Sequence, residues 1–151
     1  MREHIRQNDR YGCVVACCAI VRGVPYAEVA TDLGPPGRGF THDTWMEYLA
    51  RHGFAFQFHY QYDCISGKVR DPWPLSPWAD LHICSVDAGH GPGSHAVVML
   101  CDGTVLDPAA DAPRRLNDYA SVAYMAAVYA VGPLVTHTTG HPLASSGQGE
   151  R

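Results

Sequence analysis

Residues 13 to 22, CVVACCAIVR, run nine apolar positions without a polar one before Arg22. Every helical face of such a run is apolar and Gly23 follows it, which predicts a fully buried helix with Cys13 in its first turn. A second helix is expected over PYAEVATDL, with Pro25 at its start and Gly34 beyond its end. A third should run from Thr41 or Thr44 to His52, where Thr44-x-x-Glu47 is a capping-box pattern and Gly53 stops the chain. From Phe54 the period shortens to two, and FAFQFHYQY alternates as a half-buried strand does. DCISGKVRDPWPLSPW holds four Gly or Pro breakers and is expected to be a surface loop. DLHICSV, HAVVMLC and TVLDP are further strands, and a short helix near Leu116 precedes a last strand, AVYAVGP. The pattern is α+β: a helical N-terminal half packed on a C-terminal antiparallel sheet. Residues 1–133 form one domain, and 134–151, rich in Thr, Ser, Gly and His, are expected to be a flexible tail.

Composition narrows the partners. With 151 residues the chain supports one core, and 46% hydrophobic against 17% charged residues is globular rather than disordered. A net charge of -4 with no Lys/Arg cluster argues against nucleic acid and anionic lipid. The first ten residues are charged and no run of eighteen apolar residues occurs, so neither a signal peptide nor a membrane segment is expected. Six cysteines without a secretion signal are expected to be free thiols in a reducing cytoplasm. Their spacing offers no metal site, and no cofactor is expected.

Cys13 is distinguished by position. A thiolate is favoured at a helix N-terminus, where unpaired N–H groups and the macrodipole attract negative charge. Cys17 and Cys18 lie a turn deeper and are expected to be core residues. Gln7 stands six positions before Cys13, so its amide can fold back and donate to an oxyanion. A nucleophile also needs a base and a group to orient that base. His95 opens an apolar strand, and Asp107 lies near the end of the next. Strand parity decides whether those two meet. A two-residue Asp102-Gly103 turn puts them on opposite faces; a three-residue Cys101-Asp102-Gly103 loop, with Gly103 left-handed, puts them on one. Asp-Gly suits either loop, and a working Cys-His-Asp array requires the second. His42, His52, His59 and His82 are expected on helix or strand surfaces, and His90 in a glycine loop. Trp45, Phe54, Phe56, Phe58 and Tyr60 are expected in the core or on the strand face, and Trp73 and Trp78 are candidates for a cleft wall.

Gln7, five residues, Cys13, then Ala16-Cys17, a helix-rich half and finally SHAVVMLCDGTVLDPA resemble the papain-like double-glycine peptidases that process bacteriocin precursors, and their stand-alone relatives. The region GRGFTHDTWMEYLARHGF resembles the middle helix of that family. Gly12 and Val14 stand where the family usually has Asp and Gly, and the family's fused transporter domains are not expected here. The resemblance implies a papain-like fold with Cys13 as nucleophile, His95 as base, Asp107 as orienting residue and Gln7 as oxyanion donor. It implies a peptide or protein substrate, with a Gly-rich cleavage site among the options. Hydrolysis of a peptide or isopeptide bond is the leading function. Acyl transfer or glutamine deamidation on the same residues, and a catalytically silent binding domain, are the alternatives.

Overall fold

The computed structural model describes residues 2–60, 78–89 and 94–132. The expected tail, His90, Trp73 and all of the expected 63–78 loop except Trp78 lie outside those residues. Helix α1 spans Cys13–Arg22, α2 Tyr26–Leu33 and α3 His42–Arg51. Helix α1 ends on Gly23, at φ +69, whose N–H bonds Ala19 O at 2.8 Å. Val14 to Val21 are all buried, because α2 and α3 pack on this helix from one side and the sheet from the other. Each large aliphatic side chain so buried contributes about 1.5–3 kcal/mol. The start of α1, and with it Cys13, is therefore held by the core itself.

Helix α3 begins earlier than its capping-box pattern suggests. Thr41 is the N-cap, and its hydroxyl bonds that of Thr44 at 3.0 Å rather than a backbone N–H. Thr44 is already inside the first turn, so the expected Thr44–Glu47 box does not cap the helix.

The sheet has five strands in the order β1-β5-β2-β3-β4, every neighbouring pair antiparallel. They are β1 Phe54–Tyr60, β2 Leu81–Val86, β3 His95–Leu100, β4 Val105–Leu106 and β5 Val122–Ala130. A single 3-10 turn at Leu116–Asp118 supplies the short helix expected there. Strand β5 starts five residues before the expected 127, and it lies between β1 and β2. Both its faces are covered, so Tyr124 through Val128 are buried without alternation, which removes the period-two signal. The same burial corrects His82, which is 1% exposed on β2 rather than a surface residue. Leu81 and Ile83 face the helices, while Cys84 and Val86 join Val97, Met99, Val105 and Met125 in a second cluster on the far face. Trp45 is buried with Phe56 against it, as expected of a core aromatic.

The β3–β4 hairpin resolves the parity question. Val98 pairs with Leu106 and Met99 with Val105, while Leu100 N–H bonds Thr104 O at 2.8 Å. The loop is therefore Cys101-Asp102-Gly103, with Gly103 at φ +79. One step further along this register Val97 faces Asp107, so His95 and Asp107 share a face. A Cβ at position 103 would also meet Arg115 Nη1 at 3.2 Å. Gly103→Val should destabilise the domain by about 1–3 kcal/mol, read as a lowered denaturation midpoint. A midpoint equal to that of the parent would mean the loop tolerates a branched residue at positive φ.

Candidate active site

The turn before α1 is built around Asp9. Its carboxylate accepts the Tyr11 N–H at 2.9 Å and the Tyr26 hydroxyl at 2.9 Å, and its carbonyl accepts the Gly12 N–H at 3.3 Å. Gly12 is the helix N-cap and carries no side chain to satisfy the first turn. A Cβ there would lie 2.9 Å from Asp9 Oδ2 and collide with the Tyr26 hydroxyl. Asp9 and Tyr26 thus fill the space next to Cys13, which explains why glycine stands at 12. Gly12→Ala should break the Asp9–Tyr26 bond and cost about 1–3 kcal/mol of stability, measured by chemical denaturation. No change in midpoint would show that Tyr26 moves aside freely.

Cys13 opens α1 half-buried, facing the start of β3. His95 is buried there and lines the same cleft as Cys13, while its Nε2 bonds Asp107 Oδ1 at 2.6 Å. Burial pushes the Cys13 thiol up. The bonds from His95 and from the Ala96 and Val14 N–H groups, with the charge of the imidazolium, outweigh it and leave the thiol below its ordinary value. Burial alone would lower His95, but Asp107 and Cys13 together raise it to about 9. Asp107, despite its burial, is drawn down to about 2 by His95, Tyr119 and the Ala109 N–H. All three shifts favour a thiolate beside an imidazolium. Cys17, four residues along the same helix, shows the opposite: burial drives it well above the ordinary thiol value, and Cys18 is pushed up to about 12. Both pack in the core as expected.

Gln7 reaches the same neighbourhood, though its amide is engaged. Its Nε2 donates to Asp9 O at 2.9 Å and to Arg10 O at 3.4 Å, and its backbone N–H bonds Pro108 O at 3.0 Å. Its Oε1 is buried without a hydrogen-bond partner. The N-terminal segment is further tied to Asp107 through His4, whose Nε2 lies 2.7 Å from the Asp107 carbonyl. Two clefts flank the Cys13–His95 contact. One, about 490 Å³, is lined by Cys13 with Phe40, Trp45 and Tyr124. The other, about 710 Å³, is lined by Gln7, Asp107, Arg114 and Tyr119. Trp78 is 84% exposed and lines neither, so it does not form the expected wall.

Tyr119 and Arg114 carry no signal in the sequence reading. The Tyr119 hydroxyl donates to Asp107 Oδ2 at 2.7 Å, and Arg114 Nε lies 3.7 Å from the same oxygen. They arrive through an isolated bridge, Val105 with Arg114, that folds 107–113 into a closed loop beside β4. Among the described residues no three metal-ligating side chains gather, and no single helix is long and apolar enough to cross a membrane.

No family model and no curated protein sequence matches this chain. Among solved structures it is similar to a double glycine motif protease from an AMS/PCAT transporter, crystallised in complex with the leader peptide. The two share 17% sequence identity at a TM-score of 0.53, over 84% of this chain and 92% of that one. The chain therefore has the mixed helix and antiparallel-sheet fold of that protease domain, reached with little sequence in common.

Proposed function

We propose that this protein is a cysteine hydrolase that cleaves a peptide or isopeptide bond through a Cys-His-Asp triad. The observation that carries the reading is the convergence of Cys13 and His95 on one cleft, with His95 Nε2 bonded to Asp107 Oδ1 at 2.6 Å behind them. The fold shared with a double glycine motif protease supports it, and the leader peptide bound to that protease makes a peptide the substrate to test first.

The Cys13 thiolate attacks the carbonyl carbon of a substrate spanning the two clefts. The oxyanion that forms is met by the Cys13 N–H at the helix start and by one N–H of Gln7. For Gln7 this requires giving up the longer of its two bonds, the 3.4 Å contact to Arg10 O. The change is inexpensive, because a 3.4 Å bond is weak and the oxyanion replaces the acceptor that is given up. His95 then donates its proton to the leaving amine as the C–N bond breaks, leaving a thioester on Cys13. Neutral His95 takes a proton from water, the hydroxide attacks the thioester, and the acid departs as the thiolate is restored.

Gln7→Ala should lower turnover about a hundredfold with a smaller effect on substrate binding, the pattern of a donor used mainly in the transition state. Steady-state kinetics on a cleavable peptide separate the two. An unchanged rate would leave Gln7 as a residue that only braces the turn before α1. The whole reading is tested by incubating the protein with iodoacetamide at neutral pH and mapping the adducts by mass. Preferential modification of Cys13 over exposed Cys101 supports it, and indifference between them removes the activated nucleophile on which it depends.

A further inference from the structure

The Asp107 carboxylate is held from two sides. Oδ1 accepts His95 Nε2 at 2.6 Å and the Ala109 N–H at 2.8 Å. Oδ2 accepts the Tyr119 hydroxyl at 2.7 Å, with Arg114 Nε 3.7 Å away. An ionised carboxylate only accepts, so the phenol hydrogen must point at Oδ2. The Tyr119 ring is itself buried in the far-face cluster with Val97, Met99, Val105 and Met125, and the Arg114 guanidinium lies over it at 5.9 Å. A ring pinned in this way cannot follow a moving carboxylate. Without it, rotation about the Cβ–Cγ bond would carry Oδ1 off the plane of the imidazole.

We infer that Tyr119 is a positioning residue: by fixing Asp107 Oδ2 it keeps Oδ1 aimed at His95 Nε2, and so keeps the imidazole directed at Cys13. Its bearing on turnover rests on the hydrolase reading above, whereas its bearing on the thiol can be measured without any substrate. The other charged and titratable groups around the array are Arg10 before α1, Arg38 and His42 on the Cys13 cleft, Asp87 after β2, Arg114 and Asp118 around the 3-10 turn, and His4 at the Asp107 carbonyl. All are retained when Tyr119 is replaced by Phe, so that substitution isolates the phenol hydroxyl.

The experiment is the pH dependence of Cys13 alkylation by iodoacetamide, counted separately from Cys101 by mass mapping, in the parent, Tyr119→Phe, Asp107→Ala and the double variant. Phenylalanine keeps the ring in its cluster and removes only the hydroxyl. The alkylation midpoint of Tyr119→Phe should rise by about one pH unit, and the His95 imidazole titration followed by NMR should fall. Adding Tyr119→Phe to Asp107→Ala should change nothing further, because the phenol acts through that carboxylate. A purely structural loss would lower the melting temperature without moving either titration. With Cys13 selective in the parent, an unmoved midpoint in Tyr119→Phe overturns this inference alone. So does a fall in the midpoint, the result if the phenol merely competed with His95 for the carboxylate's charge, or an added shift in the double variant. A parent Cys13 no more reactive than Cys101 overturns the hydrolase reading and this inference with it.

Discussion

Cys13→Ala is expected to lose at least about ten-thousandfold in peptide hydrolysis while melting close to the parent. The two halves of that result have separate causes. In the proposed mechanism the sulfur is the atom that bonds to the substrate carbonyl, and no neighbouring thiol can replace it: Cys17 and Cys18 are buried in the core, and burial pushes both thiols up. The fold is indifferent because α1 is fixed by Val14 through Val21, and alanine is the better helix former at its first position. Hydrolysis assays paired with calorimetry check both halves. Activity surviving in Cys13→Ala would show that bond cleavage does not pass through this sulfur.

Asp107→Asn should reduce kcat/KM by about a thousandfold at neutral pH, and its pH profile carries the explanation. In the parent, the rate should rise as pH climbs through the lowered Cys13 thiol and fall again as His95, raised to about 9, loses its proton. Removing the carboxylate's charge takes away the first of the two groups, Asp107 and Cys13, that hold His95 above its ordinary value. The alkaline limb should therefore move toward 6.5 and the acid limb upward, closing the window from both ends. Stability should follow the same charges. The stabilisation from His95 is complete below about 6.5 and is lost as pH rises through about 9, because its folded value is raised. That from Asp107 is present above its ordinary 3.8 and is lost as pH falls toward 2, because its folded value is depressed. A parent profile whose alkaline limb already stood near 6.5 would mean that Asp107 does not act on His95.

The sequence made the helices legible because their punctuation is local: Gly23, Pro25, Gly34 and Gly53 sit where the backbone must turn, and each bounds an element. The parity argument reached the hairpin because period two is strict and admits only odd or even loops. Local rules failed wherever both faces of a strand were covered. In β5, Tyr124-Met125-Ala126-Ala127 has no polar side, so nothing marks where the strand begins. His82 on β2 is buried for the same reason. Thr44 and Glu47 formed a correct motif at the wrong depth, since Thr41 offered the chain an earlier start. Tyr119 was invisible for another reason. It meets Asp107 from twelve positions further along the chain, across loop and 3-10 turn, where no periodicity relates one side chain to another.

The rung between Leu100 and Thr104 is what keeps the two arms in phase. Cross-strand partners always point to one side, so only a slip of that pairing by one position would exchange the two sides of everything beyond it. Asp107 would then turn toward the helices and away from His95, although no residue had changed. Added length at the tip is harmless while the rung survives, and a change that breaks the rung can undo the arrangement at Asp107 from the far end of the hairpin.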